Sequence, residues 1–164
     1  MKTVAKNSRR GLLRSGLAVL AGSGVAQAQT GAGWSPKKEA AGLKPGQTTD
    51  GALLSSAIRS GHLLFLSGIG GWYPERRKEP GDARVQIESA LEIMKATLEA
   101  AGSSMDNVLK VTVALVDPEQ NFEAMNAGYK GFFPKTPPAR SYFGAAGFRR
   151  KGQLLQVECV AYAD

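Results

Sequence analysis

The chain has 164 residues and a formal charge of +7, but the excess sits at one end: five of its 21 Lys and Arg, and none of its 14 acidic residues, fall within the first 28. From Gln29 onward 16 basic residues face 14 acidic ones, a net charge of +2, which excludes nucleic-acid binding argued from bulk charge and leaves one local basic run, Arg149-Arg150-Lys151. One cysteine, Cys159, and one histidine, His62, exclude an internal disulfide and supply too few ligands for a Cys/His zinc site.

Taken in chain order, Ser8-Arg9-Arg10-Gly11-Leu12-Leu13-Arg14, a mildly apolar stretch over 16–25 and then Ala26-Gln27-Ala28 read as a twin-arginine export signal over residues 1–28 with an A-x-A cleavage site. The apolar stretch is far below the roughly 20 residues of a permanent membrane anchor, so the expected product is periplasmic or secreted. Its 136 residues from Gln29 suit one domain with one core. Residues 29–50 mix glycine, proline, lysine and small polar side chains without apolar periodicity and are expected to form an irregular lead-in. The folded domain is expected over 51–164.

Two short apolar runs, 52–58 and 63–66, flank Arg59-Ser60-Gly61-His62, a hairpin signal. Ser67-Gly68-Ile69-Gly70-Gly71 then looks like a phosphate loop, but it leads to Trp72-Tyr73-Pro74 and not to a helix, so a tight turn with close backbone approach is the better reading. Residues 82–101 carry Ile87, Ala90, Leu91, Met94, Leu98 and Ala101 at spacings of three and four, with Asp82 as N-cap and Gly102 as stop; this predicts a helix. Residues 107–116 alternate as a strand, with Val108, Lys110, Thr112 and Ala114 on one face and Leu109, Val111, Val113 and Leu115 on the other.

After Asp117-Pro118 a second helix is predicted over 119–133, with Phe122, Met125, Tyr129 and Phe132 as its packing stripe and Asn126 as a polar neighbour. Strands over 140–145 and 154–162 end the chain, joined by a polar turn containing Arg149-Arg150-Lys151. The order strand, strand, helix, strand, helix, strand, strand predicts an α+β domain with two helices on one face of a mixed sheet. Val111, Val113, Val157 and Cys159 suggest a partly apolar second face, buried against another copy of the chain. Cys159 otherwise reads as a small core residue.

The residue that points most directly to a ligand is Arg140, in Pro137-Pro138-Ala139-Arg140-Ser141. Two prolines brace its approach to a strand. A guanidinium stays charged near neutral pH and offers a planar fork that matches a carboxylate bidentately.

Four segments in order, Ala57-Ile58-Arg59-Ser60-Gly61-His62-Leu63-Leu64-Phe65-Leu66-Ser67-Gly68, Asn126-Ala127-Gly128-Tyr129-Lys130-Gly131-Phe132-Phe133, Pro138-Ala139-Arg140-Ser141 and Val157-Glu158-Cys159-Val160-Ala161, resemble the RidA/YjgF/UK114 family of reactive intermediate deaminases. The resemblance spans about residues 50–162. It implies a chorismate-mutase-like α+β fold, a homotrimer with pockets between subunits, hydrolysis of 2-aminoacrylate-type enamines and imines to 2-keto acid and ammonia, and no metal or organic cofactor. Arg140 matches the arginine that holds the substrate carboxylate, and Asn126 the helix asparagine. By the same resemblance Asn126, Ser67, Gly68 and Tyr142 are substrate-binding candidates beside Arg140, and Gln156, Glu158 or Tyr142 would place the water.

The chain departs from the family pattern at three places. Leu53-Leu54 stand where active deaminases carry a proline-tyrosine pair, Tyr142 stands at a position that is often cysteine, and Gln156 occupies the place of the catalytic glutamate. Glutamine orients water but does not accept its proton, so the resemblance implies carboxylate binding with weakened turnover. Glu158, two residues on, would substitute only if a bulge shifted the strand. The alternative is a non-catalytic carboxylate-binding module of the same fold. Ribonuclease activity, attached to some relatives, would rest on Phe148 and Arg149-Arg150-Lys151 alone.

Overall fold

The computed structural model describes residues 37–71 and 80–163; the export-signal reading of 1–28 and the Trp72-Tyr73-Pro74 segment lie outside them. The strands are β1 (Lys38–Ala41), β2 (Ala57–Ser60), β3 (Leu63–Ile69), β4 (Val108–Val116), β5 (Ala139–Ala145) and β6 (Leu155–Tyr162), and the helices α1 (Ala83–Ala100) and α2 (Pro118–Tyr129). They make one six-stranded sheet in the order β1-β2-β3-β6-β4-β5. Only β4 and β5 run parallel. The fold is the expected α+β arrangement of a mixed sheet with two helices.

Residues 38–41, expected to be irregular, pair antiparallel with β2 and form an edge strand. Four residues carry too few side chains to show a period, so their strand character comes from the partner. The apolar run at 52–58 is strand only from Ala57, and Leu53 and Leu54 are exposed in the preceding loop. The hairpin turn holds, with Gly61 at φ 60°, a left-handed conformation that glycine adopts without a Cβ penalty.

Helix α1 starts where its sequence says. Asp82 accepts a hydrogen bond from the Val85 amide at 2.9 Å, and Gly102, at φ 76°, ends the helix as a left-handed cap. Arg59 Nη2 donates to the Ala101 carbonyl at 2.7 Å, satisfying one of the free carbonyls of the last turn. All six predicted core positions are buried. Gln86 is also buried. It donates to the Gly81 and Gly152 carbonyls and accepts from the Leu154 amide, tying the start of α1 to the approach of β6.

Strand β4 corrects the predicted alternation. Its pairing with β6 shifts register between Val108 and Lys110, so Val108 turns inward with Val111, Val113 and Leu115 while Leu109 is 47% exposed. An extra residue in one strand reverses the faces on either side of it. Helix α2 ends at Tyr129, four residues earlier than predicted, because Lys130 is already extended and Gly131 is at φ 94°. Met125 of the predicted stripe is fully buried; Phe122, Tyr129 and Phe132 pack against the core partly buried, and Phe133 beyond the helix is buried.

The core lies between the sheet and the helices. Leu64, Leu66, Val111, Val113, Leu115, Leu155, Val157, Cys159 and Ala161 meet Ile87, Leu91, Met94, Leu98 and Met125 there. Val111, Val113, Val157 and Cys159 therefore belong under the helices and not to the second face as expected. Their period was correct, but a period does not say which side the helices cover. The other face carries Phe65, Lys110, Thr112, Glu158 and Val160 around a small cavity of about 190 Å³.

The two helices approach closely at Gly128, where an added Cβ would lie 2.6 Å from both the Arg84 carbonyl oxygen and Ile87 Cγ2. Helix backbone cannot give way cheaply, so Gly128→Ala is expected to lower stability by about 1–3 kcal/mol. Urea unfolding checks this; an unchanged midpoint would show that α2 moves freely.

Candidate functional site

Strand β5 pairs in parallel with β4 so that Arg140 lies beside Val111 and Tyr142 beside Val113. Since Val111 and Val113 face the helices, so do Arg140 and Tyr142, residues two apart on one strand. β5 is an edge strand, and Arg140 is half-buried there under α2.

One turn of α2 surrounds the guanidinium. Arg140 Nη2 donates to Asn126 Oδ1 at 2.8 Å, Nη1 approaches Met125 Sδ at 4.0 Å, and the guanidinium carbon lies 4.5 Å from the centre of the Tyr129 ring. Asn126 thus holds the arginine itself. The three ion pairs among the described residues are Lys37–Glu39, Arg84–Glu88 and Lys135–Asp106, so no acidic side chain there neutralises Arg140. Of its five N–H groups two are engaged, and the remainder can receive an anion. Tyr142 stacks obliquely on Phe122, ring centres 4.8 Å apart, and remains 48% exposed beside the fork.

The other predicted site residues lie elsewhere in the chain. Gln156 and Glu158 pair with Ala114 and Thr112 of β4. They share the face on which Lys110 Nζ meets Ser141 Oγ at 2.6 Å, opposite to Arg140. The Gln156 side chain lies across Gly68, leaving no room for a Cβ at that position. Gly68 therefore belongs to a strand under a side chain and not to the tight turn expected for residues 67–71; the close approach is also found at Gly71, which abuts the Gln86 backbone. Ser67 donates from Oγ to the Ser55 carbonyl at 2.6 Å and so fixes the loop that carries Leu53 and Leu54.

The bulge that would have moved Glu158 into the place of Gln156 is absent from β6, which pairs with β4 without interruption from Leu155 to Val160. The irregularity sits on β3, between Leu66 and Ile69. Glu158 stays about 7 Å further along the same face. Cys159 is 4% exposed, and burial, helped by the neighbouring Glu158 carboxylate, pushes its thiol up to about 12. That excludes a thiolate nucleophile near neutral pH. His62 lies in the β2–β3 turn, its Nδ1 3.4 Å from the Ala163 carbonyl. Among the described residues no group of three or more His, Cys, Asp and Glu is placed to hold a metal ion.

The helical stripe marks Met125 and Tyr129 as packing residues, with Tyr129 also polar-capable, and does not point to contact with Arg140. A signal was present: Tyr129 follows Asn126 by three residues and Met125 by four, so a group that reaches the asparagine on this helix also meets the tyrosine.

Residues 49–163 match the family model described as Endoribonuclease L-PSP. The chain belongs to that family, also known as YjgF/RidA. Among family relatives, it is 34% identical to Reactive Intermediate Deaminase A, chloroplastic, of Arabidopsis thaliana over 65% of this chain and 57% of that protein. It is 32% identical to the mouse 2-iminobutanoate/2-iminopropanoate deaminase over 65% of this chain and 78% of that protein. A solved YjgF/RidA-type fold, E. coli TdcF with bound serine, superposes with a TM-score of 0.61 at 31% identity, covering 68% of this chain and 88% of that one. With such neighbours the sheet and its two helices are the chorismate-mutase-like fold, and some members of the family are named deaminases.

Proposed function

We propose that this chain is a slow hydrolytic deaminase of small carboxylate-bearing imines and enamines, acting at a pocket completed by a second copy of itself. The observation that carries the reading is the half-buried Arg140 fork, held by α2 and unneutralised by any acidic side chain among the described residues. A half-buried guanidinium in that state favours an anion with carboxylate geometry. The names of the relatives, two deaminases and a fold with bound serine, agree with such a ligand.

Arg140, Asn126 and Tyr142 lie on the helix side of the sheet, whereas Gly68, Gln156 and Glu158 lie on the other. One ligand can meet both sets only if they come from different copies, which supports a closed homo-oligomer, a homotrimer by family resemblance. In that pocket the substrate carboxylate sits on Arg140 and the imine carbon faces Gln156. An enamine first tautomerises to the imine; water then adds to the C=N carbon, both of its protons pass in turn to nitrogen, the C–N bond breaks, and ammonia and a 2-keto acid leave. Gln156 aligns the water through its amide but does not take the proton, and this makes the enzyme slow.

Ammonia release from freshly generated 2-aminoacrylate tests the reading. A rate above the uncatalysed background is expected, and background alone overturns it. One observation favours a second reading, a binding module without turnover: no carboxylate replaces Gln156, since β6 runs without a bulge past Glu158. Small carboxylates would then raise the melting temperature while no ammonia appears.

A further inference from the structure

We propose that Tyr129 is the positioning residue of Arg140, its ring setting the plane in which the guanidinium fork receives a ligand. Asn126 holds Nη2 by one in-plane hydrogen bond. The second contact, Nη1 to the Met125 sulfur at 4.0 Å, is to a weak acceptor, so the planar group can still tilt about the Asn126 bond. The guanidinium carbon lies over the Tyr129 ring, 4.5 Å from its centre, so the ring blocks tilting toward it and attracts the cation, an attraction that grows as water is excluded. The ring is itself fixed, with its centre 5.1 Å from that of Phe133, a buried residue.

The phenolic hydroxyl separates ring from polar group. It is buried with no hydrogen-bond partner among the described residues, and burial raises its pKa to about 12. An unpaired buried hydroxyl is a cost to the fold, so the useful part of the side chain is the aromatic face. Without that face, Arg140, on an edge strand, would keep only its bond to Asn126 and its contact with the Met125 sulfur.

The orientation of Arg140 is independent of the carboxylate reading; the effect on affinity rests on it. Both are measured on the full chain, by the side-chain Nε–Hε NMR resonance of Arg140, assigned by its disappearance in Arg140→Lys, and by pyruvate titration. In the unaltered protein the ring current is expected to displace that resonance. Tyr129→Leu is expected to move it to the position of a solvated arginine and to weaken pyruvate binding about five-fold. Tyr129→Phe is expected to restore both and to melt no lower than the unaltered protein.

A merely structural tyrosine would lower the melting temperature in Tyr129→Leu without moving the Arg140 resonance of the folded molecules. That result, or failure of Tyr129→Phe to restore the resonance, overturns the proposal. Should Tyr129→Leu not fold, Tyr129→Met, which keeps most of the volume and lacks the ring, is read in the same way. If the resonance moves as expected but pyruvate does not bind even the unaltered protein, the carboxylate reading fails and the positioning role stands.

Discussion

Replacing Arg140 by alanine is expected to weaken pyruvate binding at least about 100-fold, and with it to reduce ammonia release from 2-aminoacrylate to background. The size follows from the fork. Hydrogen bonds to charged groups contribute roughly 1.5–3 kcal/mol each, and a bidentate carboxylate forfeits two. Arg140→Lys keeps the charge and loses the planar pair of donors, so it should fall between, about ten-fold weaker than the unaltered protein. Isothermal titration gives the affinities, and circular dichroism checks the fold. An alanine variant that is folded and binds pyruvate as before would show that the fork faces no ligand.

Gln156→Glu is the second large effect, and its direction is a gain. The two side chains are nearly the same size, so the group that lies across Gly68 is retained while its oxygen becomes a proton acceptor. A positioned general base contributes about 10²- to 10⁴-fold, and the variant should release ammonia faster by at least the lower figure. Its rate should also fall at acid pH as the new carboxylate is protonated, a limb the unaltered protein lacks. Pyruvate affinity should move far less than the rate, because Arg140 supplies the binding. A folded variant that binds pyruvate yet gains no rate would mean that residue 156 does not face the reacting carbon, and the two-copy arrangement would have to be redrawn.

Both effects depend on residues recognisable in the primary structure, but their settings were not equally readable. Arg140 was legible because a braced arginine before a short strand is an uncommon local pattern, and Asn126 because it sits in a helix whose period is clear. Tyr129 was classed with the packing stripe, since an aromatic residue at that spacing has the same appearance whether it meets leucine or a guanidinium. Val108 was assigned to the wrong face because a bulge at Leu109 leaves no mark in a run of apolar residues. The strand at Lys38–Ala41 was missed because its order is borrowed from β2.

All the elements except β1, the caps of α1, the inert setting of Cys159 and the candidate residues Arg140, Asn126 and Gln156 are legible in the amino-acid order. These depend on neighbours within one or two turns, where period and residue type act directly. Which face of the sheet the helices cover, what holds Arg140, and that Arg140 and Gln156 lie on opposite sides of the sheet emerge from the folded chain alone. Those follow from how distant segments pair. A shift of one residue in a strand exchanges its faces while changing nothing in the amino-acid order.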